Sequence, residues 1–109
     1  MTVQQLIDAL SLTVFSLSDP QRQVTGGYAG DLLSWVMGRA QSGDMWLTIM
    51  SNQNVAAVAL MADVACVILT EGVQPDPTLL SRAQEKGVNL LGTPESTFTA
   101  AGRMGALLA

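Results

Sequence analysis

Histidine is absent from the chain, and cysteine occurs once, at Cys66. Without an imidazole, Ser-His-Asp and Cys-His catalysis and histidine-based zinc sites are excluded. A lone cysteine forms no intrachain disulfide and requires no oxidising compartment. Set in the apolar run Val64-Ala65-Cys66-Val67-Ile68-Leu69, it reads as a buried, inert thiol. Charge is scarce as well, at 13% of residues against a usual ~25%. Five Lys and Arg face nine Asp and Glu, for a net charge of −4. Arg22, Arg39, Arg82, Lys86 and Arg103 are scattered without a basic stripe, and aromatic residues make up only 5%, so nothing supports nucleic-acid binding. The longest apolar stretch, Val55 to Leu69, is interrupted by Asp63 and falls short of the ~20 residues that span a bilayer. Met1-Thr2-Val3-Gln4-Gln5 does not read as a signal peptide. A soluble, cytoplasmic protein without a membrane partner is expected.

What is present is an apolar half: 49% of the 109 residues are hydrophobic. That suffices for one packed core and is too little for two, so residues 1–109 read as a single domain. Thr2-Val3-Gln4-Gln5 fits a capping box, and Val3, Leu6, Ile7 and Leu10 follow at helical spacing. Leu12-Thr13-Val14-Phe15 predicts a strand stopped by Ser18-Asp19-Pro20, and Arg22-Gln23-Val24-Thr25 extends or adds to the sheet. From Tyr28 or Gly30 to Gln41, the positions Leu32, Leu33, Val36, Met37 and Ala40 predict a helix closed by Ser42-Gly43-Asp44. Met45 to Met50 reads as a strand covered on both faces. Ser51-Asn52-Gln53-Asn54 then caps a helix of small residues ending at Ala62. Val64 to Thr70 predicts the next strand, and Asp76-Pro77 opens a helix that Gly87 ends. After the strand Val88 to Gly92, Thr93-Pro94 opens a last helix with Phe98, Ala101, Gly105 and Leu108 along one face. The alternation predicts βαβ crossovers, hence a three-layer α/β/α fold around a mostly parallel sheet of four to five strands.

In such a sheet, ligands bind outside the carboxyl ends of the strands, where helix N-termini and free backbone N–H groups collect. The reading brings Thr25-Gly26-Gly27, Ser51 to Asn54, Thr70-Glu71-Gly72 and Thr93 to Ser96 to that rim. Candidate ligand-binding residues are Thr25, Gly26, Gly27, Asp31, Asn54 and Thr70. Glycines before a helix let an anion approach backbone N–H groups at the positive end of the dipole. The same residues serve equally as a tight turn, with Asp31 favouring the helix start and Asn54 capping its own helix. The run is neither a P-loop nor a dinucleotide fingerprint, and no lysine stands beside it to neutralise a phosphate. Asp31, Glu71 and Glu95 are the only rim carboxylates for an acid–base pair. Asp63, at the C-terminal end of a helix, reads as a solvated loop position or a partner contact. Both tryptophans read as core, with a subunit contact as the alternative for Trp35.

The run Val24-Thr25-Gly26-Gly27-Tyr28-Ala29-Gly30-Asp31-Leu32-Leu33-Ser34 resembles the signature of the DRTGG domain family. Further matches are Asn54-Val55-Ala56-Ala57-Val58-Ala59, the stretch from Ala62-Asp63-Val64-Ala65 to Ile68-Leu69-Thr70-Glu71-Gly72, and Ser96-Thr97-Phe98 with Ala101-Gly102-Arg103. Gln23 and Val24 stand where the family name has Asp and Arg. The resemblance implies an α/β domain similar to the N-terminal domain of HPr kinase/phosphorylase. It implies an accessory domain of undefined activity, found alone, beside CBS domains or in phosphotransacetylase-like proteins, and placed at dimer contacts. It implies no kinase chemistry, since the kinase P-loop belongs to another domain. The resulting expectation is a non-catalytic regulatory or interaction domain that forms a homodimer and uses no cofactor or metal. A sensor of a small anionic or nucleotide ligand is the alternative, and an enzyme is the third reading.

Overall fold

The structure, a computed structural model, describes all of residues 1–109. Helix α1 (Val3–Leu10) begins with the capping box that the sequence predicts. The Thr2 hydroxyl accepts from Gln5 N–H at 3.1 Å, and the Gln5 side chain accepts from Thr2 N–H at 2.9 Å. Two backbone donors that helix geometry orphans are thereby satisfied. The remaining elements are β1 (Thr13–Ser16), β2 (Gly26–Ala29), α2 (Leu33–Arg39), β3 (Asp44–Thr48), α3 (Asn54–Ala62), β4 (Cys66–Leu69), α4 (Pro77–Lys86), β5 (Leu90–Gly92) and α5 (Thr97–Leu108). Pro77 sits at the start of α4, where its missing N–H costs nothing, and Gly87 ends the helix at φ 72°, a conformation that glycine adopts without strain.

The five strands form one sheet in the order β1-β5-β4-β3-β2. β2, β3, β4 and β5 are parallel, and β1 pairs antiparallel with β5 at one edge. The predicted three-layer α/β/α fold with a mostly parallel sheet is present. Because β2, β3, β4 and β5 follow one another across the sheet, right-handed crossovers place α2, α3 and α4 on the same face. The opposite face is left to α1 and α5. Side chains divide by the two-residue period of a strand. Trp46, Val67, Leu69 and Leu90 pack with Val36, Val55 and Leu79 from α2, α3 and α4. Met45, Leu47, Ile68 and Leu91 pack with Leu6 of α1 and Met104 of α5. Trp46 is wholly buried, and its indole N–H donates to the Gly30 carbonyl at 2.9 Å. Asn89, also buried, accepts from the Ser18 and Asp19 N–H groups and donates to the Asp19 and Ala65 carbonyls, fastening the loop after β1 to the sheet.

Three local expectations are corrected. The second strand is Gly26–Ala29 rather than Arg22 to Thr25, so Tyr28 belongs to a strand and α2 starts only at Leu33. The last helix starts at Thr97 with Ser96 as its cap, not at Thr93-Pro94. Its core-facing residues are Ala100 and Met104, whereas Phe98 is almost fully exposed. Helical spacing identifies residues that share a face but not the neighbour that face meets.

Candidate functional site

The carboxyl ends of β2 to β5 form the expected rim, and their polar groups are knitted to one another. Asp31 Oδ1, just beyond β2, accepts from the Thr48 hydroxyl at 2.8 Å and from Ile49 N–H at 2.9 Å. It thus ties the end of β2 to that of β3 instead of capping α2, whose start has no side-chain cap. Thr70, fully buried after β4, shares a hydrogen bond of 2.6 Å with the Thr97 hydroxyl at the start of α5. Glu71 adopts a left-handed backbone, φ 59°. Its N–H donates to the Glu95 carbonyl at 2.8 Å, and its carboxylate accepts from Thr97 N–H at 2.9 Å. A side chain of the protein itself therefore sits at the positive end of the α5 dipole, where a carboxylate is stabilising. Glu95 pairs with Arg103. The three rim carboxylates are each engaged with structural partners. No group of three or more His, Cys, Asp or Glu is placed to hold a metal ion.

Between these loops and β1 lies a hollow of about 210 Å³ bounded by Thr13, Gln74, Gly92 and Thr93 among others. Sequence reasoning missed Thr48, Thr97, Thr13 and Gln74. The signal available was that threonine ends β3 and directly follows β4 and β5.

The candidate residues do not all converge. Asp31 and Thr70 lie on the rim, as does Asn54, the exposed first residue of α3. Asn54 is not a cap: its N–H donates to Asn52 Oδ1 at 2.9 Å. Thr25, Gly26 and Gly27 lie at the opposite end of the sheet or within it. Thr25 N–H donates to the Gly43 carbonyl, and Gly26 and Gly27 stand beside Asp44 and Met45 at the start of β3. The expected Thr25-Gly26-Gly27 loop on the ligand rim is thus replaced by a strand. At Gly26 a Cβ would lie 2.7 Å from Asp44 Oδ1, so the glycine leaves room for the Asp44 carboxylate.

Near that opposite end, the Arg22 guanidinium donates to Asp63 Oδ1 at 3.0 Å and to the Asp63 carbonyl at 2.9 Å, while the Ser42 hydroxyl donates to Asp63 Oδ2. Arg22 first, and Ser42 next, hold the Asp63 carboxyl below the usual carboxylate range. Asp63 is exposed, as expected, but it is paired rather than merely solvated. Trp35 is exposed on α2, with the Arg39 guanidinium 3.9 Å above its ring, so the core placement expected for it does not hold. A second hollow, apolar and about 260 Å³, runs between β2 and α5 along Gly27, Ala29, Ala101, Gly105 and Leu108.

No helix is long and apolar enough to cross a membrane. No curated protein matches the chain. Among solved structures, it is similar to the crystal structure of the CBS and DRTGG domains of the regulatory region of Clostridium perfringens pyrophosphatase, complexed with its activator, diadenosine tetraphosphate. The TM-score is 0.72 at 17% identity, over 93% of this chain and 44% of that one. The chain therefore spans less than half the length of that regulatory region. The family model of the DRTGG domain matches residues 31–107, beginning just after Thr25-Gly26-Gly27 and covering all of α2 to β5 with most of α5. The chain belongs to the DRTGG domain family.

Proposed function

We propose that residues 1–109 act as one non-catalytic regulatory and interaction domain that pairs with a second copy of itself. The observation that carries this reading is large apolar side chains left bare, those of α2 and α5 among them. Phe98 on α5 is 90% exposed, Trp35 on α2 is 53% exposed, and Leu32 beside it is 58% exposed. Small domains leave such side chains uncovered chiefly where another surface meets them. The non-catalytic part is supported by the rim, where Asp31, Glu71 and Glu95 serve the fold and form no acid–base pair. The reading sets the domain in the cytoplasm, where the buried, unpaired Cys66 meets no oxidising environment. Light scattering at micromolar concentration, in low and moderate salt, is expected to give twice the chain mass of 11.5 kDa. A value of 11.5 kDa in both salts overturns the pairing.

A second reading, sensing of a small anionic or nucleotide ligand, is favoured by the diadenosine tetraphosphate bound to the similar Clostridium perfringens regulatory region. On this chain Asp31, Asn54 and Thr70 stay on the rim, with Thr25, Gly26 and Gly27 forming a separate patch, and the hollow bounded by Thr13, Gln74, Gly92 and Thr93 opens at the β1 and β5 side of that rim. At about 210 Å³ the hollow lies below the ~300 Å³ of ordinary ligand sites, so it suits a phosphate-sized group better than a whole nucleotide. Thermal shift against nucleotides and phosphometabolites tests it. A ligand at 100 times its Kd adds ~2.7 kcal/mol of stability, and the absence of a shift with every compound counts against this reading.

A further inference from the structure

The two edges of the sheet are built differently. The pairing of β1 with β5 slips at an irregularity between Val14 and Ser16, a feature that turns an edge away from further pairing. β2 closes the other side with regular pairing, no proline, and no charged side chain from Val24 to Gly30. Gly30 N–H donates to the Leu47 carbonyl. The alternation of a parallel ladder then turns Gly26, Tyr28 and Gly30 toward β3 and leaves the N–H and C=O groups of Gly27 and Ala29 facing outward. An edge without charge, proline or a bulge is a template for another strand.

Both flanks of this edge are apolar. On one face, Ala101, Gly105 and Leu108 of α5 wall the groove beside Gly27 and Ala29, and Phe98 continues the same stripe one turn earlier. On the other face, Val36 of α2 enters the core, and Leu33 and, just after the helix, Ala40 pack against it. Trp35 precedes Val36, and the hand of the helix together with that of the crossover turns it away from α3 and over the β2 edge. Leu32 and Arg39, three residues before and four after, share its stripe.

We infer that the free edge of β2 is the surface on which two copies join, as a two-fold dimer whose sheets continue into one. The inference rests on the pairing proposed above and names its surface. A second copy fits this edge for three reasons. A two-fold axis at Tyr28 sets Gly27 of each copy opposite Ala29 of the other, so the outward N–H and C=O groups satisfy one another without offset. The same axis lays the two α2 helices antiparallel, bringing Arg39 at the end of one to the start of the other, where Asp31 carries a carboxylate. The molecule measures 32 × 26 × 25 Å, so the ~800 Å² that each partner of a stable complex covers takes the β2 edge together with the α2 and α5 stripes that flank it.

Two substitutions separate this surface from the rest. At Gly105 a Cβ would meet open space, and replacing a helical glycine favours the helix; Met61 on α3 is 72% exposed, so both variants retain the monomer fold. Gly105→Glu puts a carboxylate into the groove at the β2 edge. Met61→Glu adds the same charge to α3, away from that edge. Light scattering at micromolar concentration is expected to give a dimer for the wild type and for Met61→Glu. Gly105→Glu is expected to show half that mass, 11.5 kDa, with its helical circular dichroism retained. A dimeric Gly105→Glu, or loss of the dimer in both variants, overturns the edge interface and leaves self-pairing standing. A monomeric wild type overturns self-pairing and this interface with it.

Discussion

At the scale of single residues, Asp63 shows how a surface group acquires a partner that its own segment does not announce. It ends α3 in a left-handed conformation, φ 58°, and Arg22 reaches it from the loop between β1 and β2. The sequence shows a carboxylate at a helix end. It does not show the cation 41 residues away, because that proximity is created by the sheet. Asp63→Asn keeps a residue that tolerates the left-handed backbone and removes the charge. The folded carboxyl lies below its ordinary value because of Arg22 and then Ser42. Its stabilising effect is therefore complete above the unfolded pKa of ~3.9 and is lost as pH falls through the folded value. Both partners are partly solvated, so the wild type is expected to exceed Asp63→Asn at pH 7 by at most about 1 kcal/mol in urea unfolding. The gap should narrow in salt and close in strong acid. A gap that persists at low pH would refute this account.

At the scale of elements, β2 was the least legible part of the chain. Glycine is depleted in strands because it loses the most entropy and packs no side chain, so Gly26-Gly27 reads as a turn. It becomes a strand because β3 is buried along its whole length and needs a neighbour that leaves room for the Asp44 carboxylate. The capping box of α1 and the proline and glycine bounds of α4 were legible, since their signals are local. The stripe Phe98-Ala101-Gly105-Leu108 was legible as a face, but the surroundings of that face were not. Two alanine substitutions check the difference between glycines that make room and glycines that do not. In Gly26→Ala the new methyl meets the Asp44 carboxylate, whose other oxygen accepts from Gln41 N–H. Overpacking of this kind costs roughly 1–3 kcal/mol. Gly102→Ala on α5 meets nothing and should stabilise by up to ~1 kcal/mol through helix propensity. Urea or thermal unfolding of the two variants in parallel should show shifts of opposite sign, and a neutral Gly26→Ala would show that the Asp44 carboxylate does not need the room.

At the scale of the molecule, the alternation of helices and strands carried the fold, because three successive βαβ units are each set by local pattern. The antiparallel place of β1 and the sharing of the second face by α1 and α5 were not legible, since they depend on contacts between distant parts of the chain. Cys66 lies on β4 inside that second face, and burial pushes its thiol up to about 12. Only the thiolate reacts with alkylating reagents, so labelling at pH 8 should proceed through opening of the whole domain. The labelling rate is expected to rise with urea in step with global unfolding, and rapid labelling in native buffer would show that the α1/α5 face opens by itself. That arrangement also bears on synthesis. A chain emerging from a ribosome can assemble the α2, α3 and α4 face unit by unit, since each helix lies between the strands it covers. The other face has its first helix early and its last only after β5. Cys66, Ile68 and Leu91 therefore stay uncovered by α5 until Ala100 and Met104 have been translated, and the duration of that exposure is set by elongation speed.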